Sequence, residues 1–245
     1  MMWFIVMRGP HDWGSKMKLA VLYSGGKDSN FAMYQMAKQG HEILCLLTIE
    51  PKDAGSMLFH YPNISWTHLQ SQSLGIPQLT RSSDGEDELA LLQDIVYEAK
   101  RKYSIEGVVT GGIKSRYQKE RFHDVFRKGG LVGVDPLWAI DEESYLRELP
   151  RNHFKVTVTR VAALGLGTKW LGIQLDDAKV EELVLLSRKY HFNPSLEGGE
   201  GETFVTDMPM FKKEILILEA EAIWSRDEGI LNIKKAILRD KLQHV

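Results

Sequence analysis

The sequence has almost no cysteine: Cys45 is the only one in 245 residues. A single thiol cannot close an internal disulfide, build a zinc site from thiolates alone, or pass sulfur between two cysteines. Within Ile43-Leu44-Cys45-Leu46-Leu47 it reads as a small buried hydrophobe. An excess of either charge is also lacking, since 31 Lys and Arg stand against 33 Asp and Glu, a formal −2. That balance supplies no broad cationic surface, so stable nucleic-acid binding is not expected. No apolar run approaches the roughly 20 residues of a membrane span, and no membrane association is expected. Met1 to Met7 is apolar, but no basic segment precedes it and Arg8-Gly9-Pro10 follows at once, the wrong order for a secretory signal. Residues 1–16 read as a leader before a folded chain starting at Met17, and the expected location is the cytoplasm. Asn63-Ile64-Ser65 matches a glycosylation acceptor, which without such a signal is a chance match.

Strands and helices alternate over the first half. Lys18 to Tyr23 is an apolar run of strand length that ends at Ser24-Gly25-Gly26. A helical pattern starts near Asp28 and stops at Gly40, and Glu42 to Ile49 reads as a strand covered on both faces. Ser65 to Leu74 reads as a short helix closed by Gly75, Pro77 to Thr80 as a strand, and Glu86 to Tyr103 as a helix with apolar residues at steps of three and four. Gly107 to Thr110, Ser115 to Lys128 and Leu131 to Leu137 continue as strand, helix and strand. This predicts an α/β domain with a five-stranded, mostly parallel sheet and helices on both faces. After Trp138 the pattern changes. Phe154, Val156 and Val158 alternate with Lys155, Thr157 and Thr159, the mark of a half-exposed strand. Asp176 to Tyr190 reads as a helix, Glu197 to Thr203 as a loop, and Ile215 to Trp224 with Ile230 to Leu238 as an antiparallel hairpin. The expected division is a nucleotide domain over 17–140 and a smaller α+β domain over 141–245.

The strand-to-helix turn Ser24-Gly25-Gly26-Lys27-Asp28-Ser29 is the first candidate site. It is not a Walker loop, because Asp28 follows Gly26-Lys27 and Val21 stands where the leading glycine belongs. Gly165-Leu166-Gly167 lacks the third glycine of a dinucleotide fingerprint. Glycines allow close backbone approach to an anion, and the N–H groups of the first helical turn point at it. Ser24 and Ser29 add hydroxyls and Lys27 a full charge. A plain turn with Asp28 or Ser29 as helix cap is the competing reading.

These six residues match, at every position, the SGGxDS motif of the PP-loop (N-type) ATP pyrophosphatases, which the chain therefore resembles. The resemblance implies a HUP-like nucleotide-binding fold, ATP as cosubstrate, and release of pyrophosphate after attack on the α-phosphate. Mg2+ is implied beside the phosphates, with Asp28 as its candidate ligand. Three further stretches, Val109 to Arg121, Pro136-Leu137-Trp138 and Glu197-Gly198-Gly199-Glu200-Gly201-Glu202-Thr203-Phe204, make the chain resemble the diphthine–ammonia ligase family from about Lys18 to about Glu219. That implies a ligase acting on diphthine-bearing translation elongation factor 2, through an acyl-adenylate, with ammonium as nitrogen donor. The expected nucleotide set is Ser24, Gly25, Gly26, Lys27, Asp28, Ser29, Thr48, Gly111, Gly112, Gln118 and Arg121. The expected acceptor set is Glu197, Gly199, Glu200, Glu202 and Thr203, with Lys27, Glu200 and Glu202 as catalytic candidates. Gly112 departs from the family, where Asp is expected.

Other readings of these residues remain. Glu197, Glu200 and Glu202 suit the trimethylammonium of diphthine that the resemblance implies, with Phe204, Tyr117 and Trp138 as aromatic partners; the charge pattern taken alone reads as a solvated acidic turn, and an oxygen-lined magnesium site is a further alternative. Ser115 and Gln118 form a capping box. Arg121 suits a phosphate or a surface pair with Glu120 or Asp124. His60 lies in a loop near the nucleotide. A tRNA-modifying PP-loop enzyme and a non-catalytic ATP sensor are the alternative functions, and a homodimer is allowed without being required.

Overall fold

The computed structural model describes residues 15–51, 63–83 and 87–241. His60, most of the 1–16 leader and the first residue of the helix expected from Glu86 lie outside the described residues. Among the described residues, no helix is long and apolar enough to cross a membrane.

The first half forms a parallel sheet of β1 (Lys18–Leu22), β2 (Glu42–Glu50), β3 (Gln78–Ser82), β4 (Gly107–Val109) and β5 (Val132–Val134), in the order β3-β2-β1-β4-β5. Helices α1 (Lys27–Lys38), α2 (Thr67–Leu74), α3 (Glu88–Tyr103) and α4 (Arg116–Lys128) connect the strands. The strand order reverses between β1 and β4. In such sheets ligands sit beyond the carboxyl ends of the strands at the reversal, which is where Ser24–Lys27 and Gly111–Lys114 lie.

Alternation along the strands feeds two cores. Ala20, Cys45 and Leu47 face α3 and α4 with Leu92, Val96 and Phe126. Leu19, Val21 and Leu46 face α1 and, beyond it, the second half of the chain, sharing one cluster with Phe31, Tyr145, Val156, Trp170 and Phe204. Cys45 is fully buried, and burial pushes its thiol up to about 12, so it holds its proton as a core residue should.

The second half adds α5 (Glu142–Arg151), β6 (Lys155–Val161), α6 (Asp177–Tyr190), β7 (Gly201–Asp207), β8 (Lys213–Ser225) and β9 (Glu228–Asp240), with an antiparallel sheet ordered β7-β6-β9-β8. The expected hairpin is present, with β8 paired to β9 from Lys213 opposite Asp240 to Ser225 opposite Glu228. Four expectations need correction. Helix α5 is absent from the sequence reading; Asp141 caps it by accepting from Ser144 N–H at 2.9 Å, and Pro150 in its last turn hides the pattern of Tyr145, Leu146 and Leu149. Strand β6 is not half exposed, because it lies between β7 and β9 and Thr159 is as buried as Val158. The Glu197–Thr203 segment is not wholly loop, because β7 begins at Gly201. Strand β5 stops at Val134, so Asp135 to Ala139 form a turn.

The sheets are tied by specific bonds. The buried Asn63 side chain donates to Leu231 O at 2.9 Å and accepts from Ile233 N–H at 2.8 Å, an arrangement that leaves no room for a glycan.

Candidate active site

One cleft at the strand reversal is lined by Ser24, Gly26, Lys27, Asp28 and Ser29 after β1, by Thr110, Gly111 and Gly112 after β4, by Ser115, Gln118 and Lys119 of the α4 start, by Asp135 and Trp138 after β5, and by Glu197, Glu202, Thr203 and Phe204 from the second half of the chain. The loop after β1 is held in three ways. Gly25 has φ +77°, and a methyl group there would stand 2.5 Å from Gln70 Oε1, so glycine alone fits. The Gly25 carbonyl accepts from Val205 N–H at 3.0 Å and from the Gln70 amide at 2.9 Å, and the same Gln70 amide nitrogen reaches Val205 O at 2.7 Å. Lys27 N–H donates to Thr203 Oγ1 at 3.1 Å. The phosphate-type loop is thereby joined to β7.

Lys27 is buried at 3% exposure, and its ammonium meets Asp28 Oδ2 at 2.9 Å. The other Asp28 oxygen accepts from the buried Tyr145 hydroxyl at 2.8 Å. Burial first, and then the Asp28 charge, raise the Tyr145 pKa well above the usual phenol value, so this hydroxyl remains a donor. Lys27 and Tyr145 take one Asp28 oxygen each, and each oxygen keeps a lone pair, so a magnesium ion at the phosphates would share Asp28 with these two partners or meet it through water. No group of three or more His, Cys, Asp or Glu suited to a metal occurs among the described residues.

Glu197, in the turn that precedes β7, reaches across to cap the loop after β4. Its carboxylate accepts from Ile113 N–H at 2.6 Å and Lys114 N–H at 2.9 Å. Burial raises its pKa above the ordinary glutamate value; those two donors oppose that rise and Asp28 adds to it. Gly111 packs directly against the start of α1, where a methyl group would stand 2.7 Å from Ser29 N and 2.8 Å from the Asp28 carbonyl carbon.

Several expected residues lie elsewhere. Glu200 does not line the cleft; its carboxylate accepts from Asn193 N–H at 3.1 Å and shapes its own loop, beside Gly199. Thr48 is fully buried, donating to Tyr23 O at 2.9 Å. Arg121 stacks over the Tyr117 ring at 3.5 Å on the outer side of α4, and neither lines the cleft; Asp124 pairs with Arg127 instead. Gln118 lines the cleft while its N–H takes the long capping bond to Ser115 Oγ at 3.4 Å.

The sequence reading missed Asp135. Its Oδ1 accepts from the Thr110 hydroxyl at 2.7 Å, and its Oδ2 lies 3.1 Å from Lys119 Nζ and 2.8 Å from His123 Nε2. Burial pushes its pKa up, but His123, Thr110 and Lys119 together outweigh burial and hold it below the usual aspartate value. Its place directly after β5 was the available signal, since ligands gather at strand carboxyl ends. Gln70 and Tyr145 carry no such signal.

Comparison with known proteins places this geometry. The diphthamide synthase N-terminal domain matches residues 17–133 and the diphthamide synthase C-terminal domain matches residues 141–238. The chain belongs to the diphthamide synthase family. Similar proteins named diphthine–ammonia ligase include one from Mus musculus, 33% identical over 94% of this chain and 95% of that protein, and one from Homo sapiens, 32% identical over 84% and 85%. A longer relative of the same name from Schizosaccharomyces pombe is 30% identical over 92% of this chain and 40% of its own length. Among solved structures, the U34-tRNA thiolase NcsA from Methanococcus maripaludis is similar at TM-score 0.37 and 13% identity, over 71% of this chain and 66% of that one, too low to bear on chemistry. The chain is an ATP-dependent ligase of the diphthamide synthase type, with an α/β fold.

Proposed function

We propose that this chain amidates the carboxylate of diphthine on translation elongation factor 2, activating it as an acyl-adenylate and using free ammonium as nitrogen donor. Nucleotide binding belongs on this reading to residues 17–140 and acceptor binding to 141–245. The observation that carries it is the single cleft in which the Ser24–Ser29 loop faces Glu197, Glu202 and Thr203 of the second half of the chain, linked by the Lys27 to Thr203 hydrogen bond.

The chemistry follows from where charge develops. A carboxylate oxygen of the acceptor attacks the α-phosphorus of ATP, the bond to the bridging oxygen breaks, and pyrophosphate leaves. Lys27, the Gly26 N–H and the Ser24 and Ser29 hydroxyls supply donors where that leaving group gains charge, the place where electrostatic help lowers the barrier. Ammonia then attacks the acyl carbon and AMP departs. Glu202, which lines the cleft, is the assigned acceptor of the proton that ammonia sheds, and Glu200 shapes the loop that presents it. The nitrogen needs no thiol carrier: Cys45 is buried with its thiol pushed up to about 12. Gly111, Gly112 and Gln118 line the same cleft, with Gly111 packed against the phosphate loop at the start of α1. Asp28 orients Lys27, and no step is routed through a metal.

The test is stoichiometric. AMP and pyrophosphate appear together only when ATP, ammonium and diphthine-bearing elongation factor 2 are all present. ATP binding without pyrophosphate release in that mixture would leave a nucleotide sensor, and release driven by tRNA would indicate a tRNA-modifying enzyme.

A further inference from the structure

We propose that Trp138 and Asp135 form a cation-recognition corner of the cleft, in which the Lys119 ammonium is a resident that a quaternary ammonium of the acceptor displaces. The identity of the acceptor rests on the ligase reading; the corner itself rests on geometry. Lys119 Nζ lies 3.8 Å from the centroid of the Trp138 ring and 3.1 Å from Asp135 Oδ2. An aromatic face beside a carboxylate is the arrangement that attracts a quaternary ammonium, which has no N–H and is held by charge and ring faces.

The corner is built rather than incidental. The Asp135 side chain is only 5% exposed, and Thr110 and His123 fix both of its oxygens. A buried carboxylate stripped of its cation is costly, so Lys119 leaves readily only in exchange for another cation. Lys119 itself is 31% exposed and has an exit. Together with Trp138 it also lines an open basin on the outer side of α4, shared with Arg116, His123 and Arg127. Other ring-bound lysines, such as Lys38 over Tyr34 at 5.7 Å and Lys189 over Tyr190 at 5.0 Å, sit farther from their rings and outside the cleft. Two of the three loop carboxylates expected to receive the cation are committed elsewhere: Glu197 holds Ile113 and Lys114, and Glu200 holds Asn193, while Glu202 lines the cleft as the assigned proton acceptor. Asp135 takes their place.

Betaine, a trimethylammonium next to a carboxylate, and 3,3-dimethylbutanoate, its uncharged-head isostere, separate charge from shape. In NMR titrations of the full chain, betaine should bind about tenfold more tightly than the isostere. Asp135→Asn should remove that preference, and Trp138→Phe should retain part of it while Trp138→Leu loses it. Lys119→Met should tighten betaine binding severalfold, because it deletes the competing cation; His123 still stands 2.8 Å from Asp135 Oδ2, and a urea melt of the variant, expected to show a lower midpoint at unchanged slope, checks that the chain is folded. Equal binding of the two probes, no betaine binding, or a Lys119→Met chain that binds betaine no better than the native one would overturn the proposal. Amidation assays distinguish the two readings. A chain that prefers betaine as stated but does not amidate diphthine sinks the ligase reading and keeps the corner. A chain that amidates diphthine with an acceptor KM unchanged by Trp138→Leu keeps the ligase and sinks the corner.

Discussion

At Gly111 the absence of a side chain is enforced by backbone, since Ser29 N and the Asp28 carbonyl carbon leave a methyl group less than contact distance. Gly111→Ala should push the β4 loop from the α1 start and lower kcat/KM by about 10²-fold, the cost of displacing a site by about an ångström. Lys27→Ala should lower kcat by on the order of 10²–10³, the worth of one well-placed donor, with a melting temperature close to native. Loss of the fold in that variant would mean that the Lys27 pair with Asp28 is structural. Two of the cleft carboxylates, Asp135 and Glu197, are shifted in opposite senses. Asp135 is held below its unfolded value, so its contribution to stability is present above the ordinary aspartate range and is lost as pH falls through its native pKa. Glu197 is raised, so the native state binds its proton more tightly, and stability falls as pH climbs from the ordinary glutamate value through the native one. Urea titrations over that acid range should therefore show Asp135→Asn removing a loss of stability toward low pH, and Glu197→Gln removing a loss toward higher pH. At this scale the six residues from Ser24 to Ser29 were legible because they are consecutive. Asp135, Gln70 and Tyr145 were not, because their partners come from strands and helices far along the chain.

At the scale of elements, the loop after β1 is shaped as much by β7 as by its own glycines. Gln70 of α2 is the joint, donating to the carbonyls of both Gly25 and Val205. Removing it leaves buried carbonyls short of a donor and opens space. Gln70→Ala should thus cost about 1–3 kcal/mol, read from the urea midpoint at unchanged slope, and should raise the KM for ATP because Gly25 is no longer fixed. A native-like midpoint would show that Val205 N–H suffices. The strand and helix alternation was legible through the first half because β1, β2 and β4 are apolar runs and α3 is periodic, although β3 is largely polar and β5 stops at Val134. In the second half α6 and the β8–β9 hairpin were legible, and two features were not, for physical reasons: Pro150 masks α5, and neighbouring strands bury the threonines of β6 that alternation alone would expose. The Glu197–Thr203 segment misled most. Its glycines suggested a free acidic loop, whereas Glu197 is a cap on another loop and Gly201 already belongs to β7.

For the whole molecule, the decisive feature is a core that does not stop at the boundary between sheets. Val21 and Phe31 share one buried cluster with Val156, Trp170 and Phe204. Calorimetry should therefore give one unfolding transition, and ATP at 100 times its Kd should add about 2.7 kcal/mol to stability by mass action; two separated transitions would contradict a shared core. The same continuity lets nucleotide and acceptor meet in one cleft, as an amide-forming ligase requires. The most direct measurement is the mass of the modified histidine peptide from diphthine-bearing elongation factor 2, after incubation with this chain, ATP and ¹⁵N-labelled ammonium. The account predicts a primary amide carrying the label, formed with one AMP per peptide. An unlabelled carboxylic acid recovered intact, with the chain folded and binding ATP, would contradict it.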